Sequence, residues 1–492
     1  MTQKRFLRFT ALLMLFALVL MPFKNVKAAA VPKLSKTQLT FTSDKAKAQT
    51  IKLKNVKASQ IKSVKVENDY KDIVKIKVKD KVKFTITPKR SGKAYNIRIT
   101  VTYKKKIKGV DMNSKKQVMY LIDQITVNGT SKVQIKTAED FKKIKSYSDG
   151  EVIYVLANDI DLTGKGFKNE TYEDSGSYSE FILDGQGHTI KSDSPVFDYN
   201  GGIIKNVNFE INYNVQTSKN DFISKLWTSS PSMSSDAGLA PIMNNSYGQV
   251  INCTVKGTIN VNYDKELTYQ AYGADENDRT PVTNLYIGGL VGNNGAGVIK
   301  QCSSDVKISF TQSTDSYPFI YIGGIAGHNT ENYDKEKLTI SESRFGGNIE
   351  FSPKGGTTYA GGIVGYLAGP IKDCLSTGSV KRSDDSSDKN GSGIAGFGSS
   401  YGSITNSVVL GDPDVAIYGN YYGAASDAKF TNNYYLTSKT INVYYYMGTP
   451  VDVDGITEIS DADVSNASVF AGFDFDKIWE IGSNGIKLKN VK

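Results

Sequence analysis

The chain is poor in the residues from which metal centres, disulfide frameworks and most nucleophilic active sites are built. Its 492 residues include only three cysteines and two histidines. An odd cysteine count argues against a disulfide framework, and the zinc-protease sequence H-E-x-x-H does not occur. Beyond the first thirty residues, no apolar run approaches the roughly 18 residues that a membrane-spanning helix needs. We therefore expect no cofactor, no metal site and no membrane span in the mature protein.

Residues 1–30 have the pattern of a secretory signal peptide. Three basic residues among the first eight precede an apolar run at 9–21, and Ala28-Ala29-Ala30 matches an A-x-A cleavage site. The apolar run is too short for a spanning helix. We therefore expect a secreted, extracellular protein that does not bind nucleic acid. This expectation is compatible with association with the cell wall.

Charge divides the rest of the chain into two parts. Residues 31–132 carry 26 basic and 7 acidic side chains, whereas residues 133–492 have a net charge of −14. A turn-rich sequence at 128–131 marks the boundary. The lysines of the basic part have two interpretations. They form either a solvated face of an edge-protected sandwich or a surface that attracts an anionic cell-wall polymer, an acidic glycan or the chain's own acidic domain.

The basic part, residues 31–130, is predicted to be a small β-sandwich of about seven strands. Apolar and polar residues alternate, as they do in half-buried strands, at 39–41, 49–53, 61–66, 74–78, 82–86 and 97–103. The lead-in at 34–39 and the Ser91-Gly92 turn before the last segment resemble bacterial immunoglobulin-like domains of surface proteins. This resemblance implies an immunoglobulin-like sandwich.

A glycine pentapeptide returns four times in the acidic part. It begins at Gly288, Gly323 and Gly361, and a degenerate copy begins at Ser392. The four copies read G-G-L-V-G, G-G-I-A-G, G-G-I-V-G and S-G-I-A-G. Self-similarity with a period of roughly 20–50 residues indicates a stacked repeat architecture. We expect the glycines at tight corners, where a side chain would clash or φ is positive.

A second recurring segment follows each pentapeptide, and alternating strand residues follow that segment in most copies. It reads V-I-K-Q-C at 298–302 and P-I-K-D-C at 370–374. About seven coils of three short strands are expected between positions 152 and 436. Cys253, Cys302 and Cys374 occupy the same position of the repeat. This register predicts that the three thiols are small fillers of the core rather than metal ligands.

Other segments frame the repeats. Residues 131–150 are predicted to be a linker with a short helix, where Thr137 and Asp140 match a helix cap. L-A-N-D-I-D-L begins at 156, L-D-G-Q-G-H-T-I at 183 and F-D-F-D-K-I-W-E at 473. Together with the glycine units, these segments resemble bacterial secreted and surface proteins that carry the GLUG motif on a right-handed parallel β-helix. The resemblance implies an all-β chain with the β-helix at 151–480, a tail at 481–492 and a surface setting, but no particular reaction.

The sequence shows no clear catalytic constellation. His188 lies in a Gly-Gln-Gly-His turn and His328 follows a glycine pentapeptide, and neither adjoins a nucleophile elbow. A polysaccharide lyase or glycoside hydrolase would need carboxylates clustered with Arg or Lys across neighbouring coils. Asp159, Asp161 and Asp184 instead match turn and capping positions. We therefore expect no catalysis, and a carbohydrate-active enzyme of this kind is the alternative.

Five inserts interrupt the repeats, at 212–236, 264–284, 311–318, 330–337 and 381–391. In a solenoid, such inserts project on one side and often form the binding face. Their aromatic side chains either stack on sugars and contact proteins or fill the interiors of the loops. We expect an adhesin-like protein that binds an extracellular glycan or protein ligand through Trp227, Tyr269, Tyr272, Tyr317 and Tyr333.

Overall fold

The computed structural model divides into two compact units, Met1–Thr130 and Ser131–Lys492. It describes residues 32–105, 117–144, 152–165, 181–219, 224–225, 236–270, 279–295, 297–315, 318–330, 340–354, 357–385, 391–399, 402–422, 429–437, 444–446, 449–450 and 453–491. The expected signal peptide lies outside these residues. In the ranges just given, no helix is long and apolar enough to cross a bilayer.

The first unit is a β-sandwich of two four-stranded sheets. The first sandwich sheet has the strand order Lys33–Leu34, Gln49–Lys54, Lys83–Pro88 and Val74–Lys79. The second has the order Gln38–Phe41, Gln117–Val127, Gly92–Tyr103 and Ile61–Glu67. Inward side chains such as Ile51, Phe84 and Ile99 are fully buried between the sheets. The predicted sandwich is confirmed, and its immunoglobulin-like kinship stays a prediction.

One central strand of the sandwich, Gln117–Val127, was not expected from the sequence. Its residues V-M-Y-L-I are apolar in succession and do not alternate, so the period that identified the other strands is missing. The strand pairs with Gly92–Tyr103 on one side and with Gln38–Phe41 on the other. A short 3-10 helix, Ala58–Gln60, precedes the strand Ile61–Glu67.

The second unit consists of four mainly parallel sheets, which we number in the order in which the chain passes through them. Sheet 1 contains Ser131–Ile135, Val152–Leu156, Ile182–Asp184, Ile203–Lys205, Gln249–Ile251, Val298–Lys300, Ile340–Ser341, Pro370–Lys372, Ser403–Thr405 and Lys429–Thr431. Sheet 2 contains Ile160–Asp161, Thr189–Ser192, Asn208–Gln216, Thr254–Tyr263, Ser303–Gln312, Arg344–Phe345, Asn348–Ser352, Leu375–Ser376, Ser379–Arg382, Val408–Val409, Asp412–Pro413, Asn433–Leu436 and Ile456–Ile459.

The remaining strands complete the coils. Sheet 3 contains Ser224–Lys225, Asp236–Leu239, Asn284–Gly288, Phe319–Gly323, Thr357–Gly361 and Gly391–Ser392. Sheet 4 contains Phe197–Asn200, Met243–Ser246, Val291–Asn294, Ala326–Asn329, Val364–Leu367, Ala395–Ser399, Tyr418–Tyr422, Tyr444–Tyr446 and Thr449–Pro450. Two further hairpins pair Thr268–Gln270 with Arg279–Pro281 and Trp479–Gly482 with Gly485–Leu488.

Successive coils stack in parallel and in register. The coil that enters sheet 2 at Ser303 pairs with the following coil through Ile308 and Ile349, and in sheet 3 through Ile322 and Ala360. The parallel β-helix predicted from the repeats is therefore confirmed. Sheet 1 alone has ten strands among the described residues. The estimate of about seven coils was too low because the first three strands of this sheet lie before position 203, where the recurring segment first appears.

The β-helix begins earlier than the sequence suggested. Ser131–Ile135 pairs in parallel with Val152–Leu156 and so forms the first strand of sheet 1, within the segment expected to be a linker. The predicted helix follows at Ala138–Phe141, and the backbone N–H of Asp140 donates to the side chain of Thr137. The buried ring of Phe141 lies 5.6 Å from that of Phe197. This short helix therefore covers the core at its N-terminal end.

At the corner between sheets 1 and 2, a residue with left-handed backbone conformation recurs in successive coils. The residues with φ between 48° and 57° at this corner are Gln186, Asn206, Asn252, Gln301, Glu342, Asp373, Asn406 and Asn432. Asparagine and aspartate tolerate this conformation better than most residues. The side chain of Asn252 donates from Nδ2 to Oδ1 of Asn206 at 2.7 Å. This corner therefore fixes both the turn and the stacking of neighbouring coils.

The pentapeptide glycines form the corner between sheets 3 and 4. Glycine is required there because neighbouring backbone atoms lie too close to leave room for a Cβ atom. In all four copies, which lie entirely within the described residues, no glycine has a positive φ. A Cβ atom on Gly323 would overlap the carbonyl oxygen of Ala326. A Cβ on Gly327 would lie 2.6 Å from the backbone nitrogen of Ile287 in the neighbouring coil. Of the two reasons expected for these glycines, steric clash is the one that applies.

The three cysteines are buried and free, each directly after a left-handed corner residue. The backbone N–H of Cys302 donates to Oγ of Ser343 in the next coil at 3.2 Å, and that of Cys374 donates to Oγ of Ser407 at the same distance. Burial raises the pKa of the Cys374 thiol well above its ordinary value. The prediction that the thiols fill the core is confirmed.

The segment 481–492, expected as a tail, is packed up to residue 491 instead. Trp479–Gly482 and Gly485–Leu488 form a hairpin, preceded by 3-10 turns at Asp463–Ser465 and Ala467–Val469. Its apolar side chains pack with outward residues of sheet 2, including Leu375 and Val408, in a cluster separate from the main core. The C-terminal residues therefore cover the outside of the last coils.

Candidate ligand-binding surface

A column of tyrosines lies along the outward side of sheet 3, just before the glycine corner. Tyr286, Tyr321 and Tyr359 occupy equivalent positions on three successive strands, in direct register with one another. Their strand neighbours Leu285 and Ile287 belong to the main core, whereas the tyrosines form a separate cluster. The alternation of side chains along a strand therefore places the tyrosine rings on the outer side of the β-helix.

A second column lies on sheet 4, directly after the glycine corner. Asn293, His328, Tyr366 and Phe397 are in register on four successive strands. Each follows the last glycine of a pentapeptide. Because that glycine approaches the backbone of sheet 3, the side chains of the two columns meet outside the corner.

The two columns form one continuous set of ring contacts. Tyr286 stacks on Tyr321 with centroids 5.5 Å apart, and Tyr321 stacks on Tyr359 at 5.7 Å. His328 stacks on Tyr286 at 4.6 Å and lies 5.0 Å from Tyr366. These separations lie within the range of favourable aromatic pairs.

Two phenylalanines extend the ring contacts. Phe397 stacks on Tyr366 at 5.5 Å and lies 4.6 Å from Tyr359. Phe319 stacks on Tyr321 at 6.4 Å. We call the set the aromatic surface, and it comprises Tyr286, Phe319, Tyr321, His328, Tyr359, Tyr366 and Phe397.

Exposure differs between the inner and outer rings of the aromatic surface. The three tyrosines of sheet 3 are 5–8% exposed, whereas Phe319 is 46% exposed. His328, Tyr366 and Phe397 are partly buried. The inner rings therefore form a rigid base, and the outer rings offer faces and edges to a ligand.

The aromatic surface is electrically neutral near pH 7. Burial lowers the pKa of His328 to about 3, so that its imidazole is uncharged. Nδ1 of His328 lies 2.8 Å from Oδ1 of Asn293. Burial also raises the pKa of Tyr321 and Tyr366. The carboxylate of Asp236, which accepts hydrogen bonds from Asn284 at 2.6 Å and from the Tyr286 hydroxyl at 3.4 Å, lies at the edge.

The aromatic residues predicted as ligand contacts cannot be placed on this surface. Trp227, Tyr272, Tyr317 and Tyr333 lie outside the described residues. Tyr269 belongs to the strand Thr268–Gln270, of which the backbone alone is described. By their flanking strands, four of the five inserts connect sheet 2 to sheet 3, whereas the insert at 330–337 connects sheet 4 to sheet 1.

The polar candidates of the sequence analysis occupy turns. The backbone N–H of Thr189 donates to Asp159 at 2.8 Å and lowers the pKa of that carboxyl, and Nδ1 of His188 lies 3.2 Å from the same oxygen. Asp161 accepts from the backbone N–H of Thr163, and Asp184 from that of Gln186. Within the described ranges, no group of three or more His, Cys, Asp or Glu side chains could hold a metal ion.

The sequence did contain a signal for the aromatic surface. A tyrosine stands two residues before each of the first three pentapeptides, and His328, Tyr366 and Phe397 follow the last three. An aromatic residue on both sides of a repeated tight corner indicates that neighbouring rings meet outside it. The inserts also contain aromatic residues, so sequence alone does not distinguish this pattern from the predicted binding face.

Comparison with known proteins supports the repeat. The family described as the GLUG motif matches residues 283–309. Among solved structures, an IgA1 protease is similar at 14% identity and a TM-score of 0.44, over 88% of this chain and 30% of that one. A protein from Bacteroides ovatus, provisionally named an immunoglobulin A1 protease, is similar at 17% identity and a TM-score of 0.33, over 73% of this chain and 92% of that one. No curated protein matches the chain.

The comparisons correct one prediction. Both similar structures bear the name of a protease, so the inference that this chain is not an enzyme was wrong as drawn from the sequence. The name belongs to those proteins, and the chain spans only 30% of the length of the first. For this chain, the comparisons establish a GLUG motif at 283–309, a segment that lies on the β-helix described above.

Proposed function

We propose that the protein is an extracellular, adhesin-like binding protein whose β-helix holds a ligand at the aromatic surface. The observation that carries the proposal is the continuous stack of rings from buried Tyr286 to Phe319, which is 46% exposed. A large ring on the outside of a folded protein contributes contact area at low entropic cost. Its position on rigid, stacked strands reduces the ordering cost of binding further.

The ligand class that fits best is a glycan. Sugar rings combine apolar C–H faces with hydroxyl groups at their edges. The aromatic surface offers a matching arrangement, since its outer rings present faces and edges and the partly buried polar groups of Asp236 and Asn284 lie at its edge. The tyrosine rings repeat from coil to coil at 5.5 and 5.7 Å, and such a repeat suits an extended chain rather than a single small molecule.

The test is a glycan array probed with the full chain and with a triple variant, Phe319→Ala, Tyr366→Ala and Phe397→Ala. We expect the native chain to bind a subset of glycans and the triple variant to lose at least about tenfold in affinity. Removal of one well-packed ring commonly costs more than 1 kcal/mol of binding.

Tyr247→Ala is the matched control, because Tyr247 is 44% exposed on the same β-helix but does not belong to the aromatic surface. It should bind like the native chain. Binding that survives the triple substitution, or that falls equally with Tyr247→Ala, would place the ligand elsewhere. Circular dichroism of every variant establishes that the β-helix is retained.

A further inference from the structure

The outward face of the first sandwich sheet is covered by lysines. Alternation along the strands sends Ile51, Val74 and Phe84 into the core and the polar side chains to solvent. We call the outward set the lysine face, and it comprises Lys52, Lys54, Lys75, Lys77, Lys79 and Lys83. The four strands of this sheet contain no aspartate or glutamate.

Strand register brings these lysines together. Lys52 pairs with Lys83, and Lys83 pairs with Lys79, so three ammonium groups stand in one row across three strands. Neighbouring strands are about 4.8 Å apart, and alternate residues of one strand about 6.8 Å apart. The lysine face is therefore an array of positive charges with nearly regular spacing in two directions.

Protection of a sheet edge does not account for all the lysines of the lysine face. Lysines on an edge strand prevent edge-to-edge pairing, and Val74–Lys79 is such a strand. Lys52, Lys54 and Lys83, however, lie on the two central strands, where no edge needs protection. Like charges directly opposite one another destabilise a sheet. Among the described residues, Asp80, which lies 3.5 Å from Lys83, is the one carboxylate paired with this set.

We infer that the lysine face binds a linear polyol-phosphate polymer of the cell wall. Charge complementarity requires a polyanion, because the face is flat and offers rows of cations rather than a pocket for one small anion. Lysine binds phosphate as a point charge and needs no fixed planar geometry, which suits the charged groups of a flexible polymer chain. The face has no aromatic ring on which a sugar could stack, so it offers charge but no surface for the sugar rings of a polysaccharide. A phosphate polymer therefore fits better than a carboxylated polysaccharide.

The experiment measures binding of the full chain to end-labelled poly(glycerol phosphate) as a function of salt. Counterion release predicts that log K falls linearly with log salt concentration, with a loss on the order of 10²- to 10³-fold between about 50 and 200 mM for four to six contacts. The variant Lys52→Gln, Lys77→Gln and Lys79→Gln should bind at least about tenfold more weakly. The slope of log K against log salt concentration should be smaller in magnitude by about two to three for this variant, since each phosphate-contacting lysine contributes about one to that slope.

The matched control changes the net charge equally on the other sandwich sheet, through Lys62→Gln, Lys65→Gln and Lys93→Gln. These lysines are exposed, and their removal should leave affinity and slope near the native values. An equal loss in both triple variants would show attraction by net charge alone and would overturn the proposal. Tighter binding to duplex DNA, to a polyuronate or to anionic lipid vesicles than to the polymer would also overturn it. Failure of the full chain to bind the polymer at low salt would do the same.

Discussion

The indole of Trp479 donates a hydrogen bond from Nε1 to Oδ1 of Asp373 at 3.2 Å, although 106 residues separate the two positions in the chain. Both side chains are buried. Asp373 is the left-handed corner residue of its coil, with a φ of 53°. The C-terminal hairpin is thereby attached to the corner between sheets 1 and 2, and it shields apolar outward residues of the last coils from water.

Trp479→Ala is expected to release the C-terminal segment. Loss of a fully buried Trp side chain costs roughly 3–5 kcal/mol, and in a solenoid such a loss acts mainly on neighbouring coils. Limited proteolysis and hydrogen exchange should show opening of residues 453–491 while the central coils stay protected. Trp479→Phe keeps a buried aromatic ring, although it loses the Nε1 donor to Asp373, and should open the segment less than Trp479→Ala. Uniform loss of protection along the whole β-helix would contradict a local role.

Asp373 should make stability depend on pH in the opposite direction to most carboxylates. Burial raises the pKa of Asp373 above its ordinary value, so the folded state keeps the proton to higher pH than the unfolded state. The contribution of Asp373 to the stability of the folded state is fully present below pH ~4 and is lost as pH rises through the raised pKa.

Asp373→Asn removes this dependence, because the amide is always neutral and keeps an acceptor oxygen for Trp479. The free energy of unfolding of the variant, measured by denaturant titration and compared with that of the native chain, should become relatively larger from pH 4 to pH 7, because the native chain alone loses stability over this range. A relative change in the opposite direction would contradict the buried position of the carboxyl.

His328 should contribute a second, opposite pH dependence. Its pKa is lowered to about 3 by burial, so the unfolded chain takes up a proton at higher pH than the folded chain. The stabilisation is present above about pH 6.5 and is lost as pH falls towards 3, at up to about 1.4 kcal/mol per pH unit. His328→Phe imitates Phe397 of the same column and should remove this slope. His188→Gln, which replaces the other histidine, is the control and should keep it.

Gly323→Ala should prevent normal closure of its coil. The added Cβ would overlap the carbonyl oxygen of Ala326 and would lie 2.8 Å from the backbone nitrogen of Gly365. Neither backbone atom can move without displacing a strand, so we expect destabilisation by about 4 kcal/mol or more. Gly164→Ala is the control, since no atom lies within 4 Å of its added Cβ and only its φ of 68° opposes the change. That control should cost about 1–2 kcal/mol, measured by denaturant unfolding.

Several features of the fold could be predicted from local patterns. Alternation identified most strands of the sandwich, and the shared register of Cys253, Cys302 and Cys374 identified a buried column. The strand Gln117–Val127 escaped because its apolar residues do not alternate. The burial of the C-terminal residues could not be predicted in this way. In the outward column of sheet 2, Arg344 is followed by the apolar residues Leu375 and Val408, and this change is recognised only when the strands of successive coils are aligned.

The sequence by itself determined that the chain is a stacked β-helix preceded by a basic sandwich, because repeated glycines, strand period and charge are local properties that survive without knowledge of contacts. Only the tertiary structure decided which outward side chains meet. His328 stacks on Tyr286, and Lys52 stands beside Lys83, because coil register and strand pairing bring them together. Inserts of different length separate the coils along the chain, so sequence spacing alone does not reveal those neighbours.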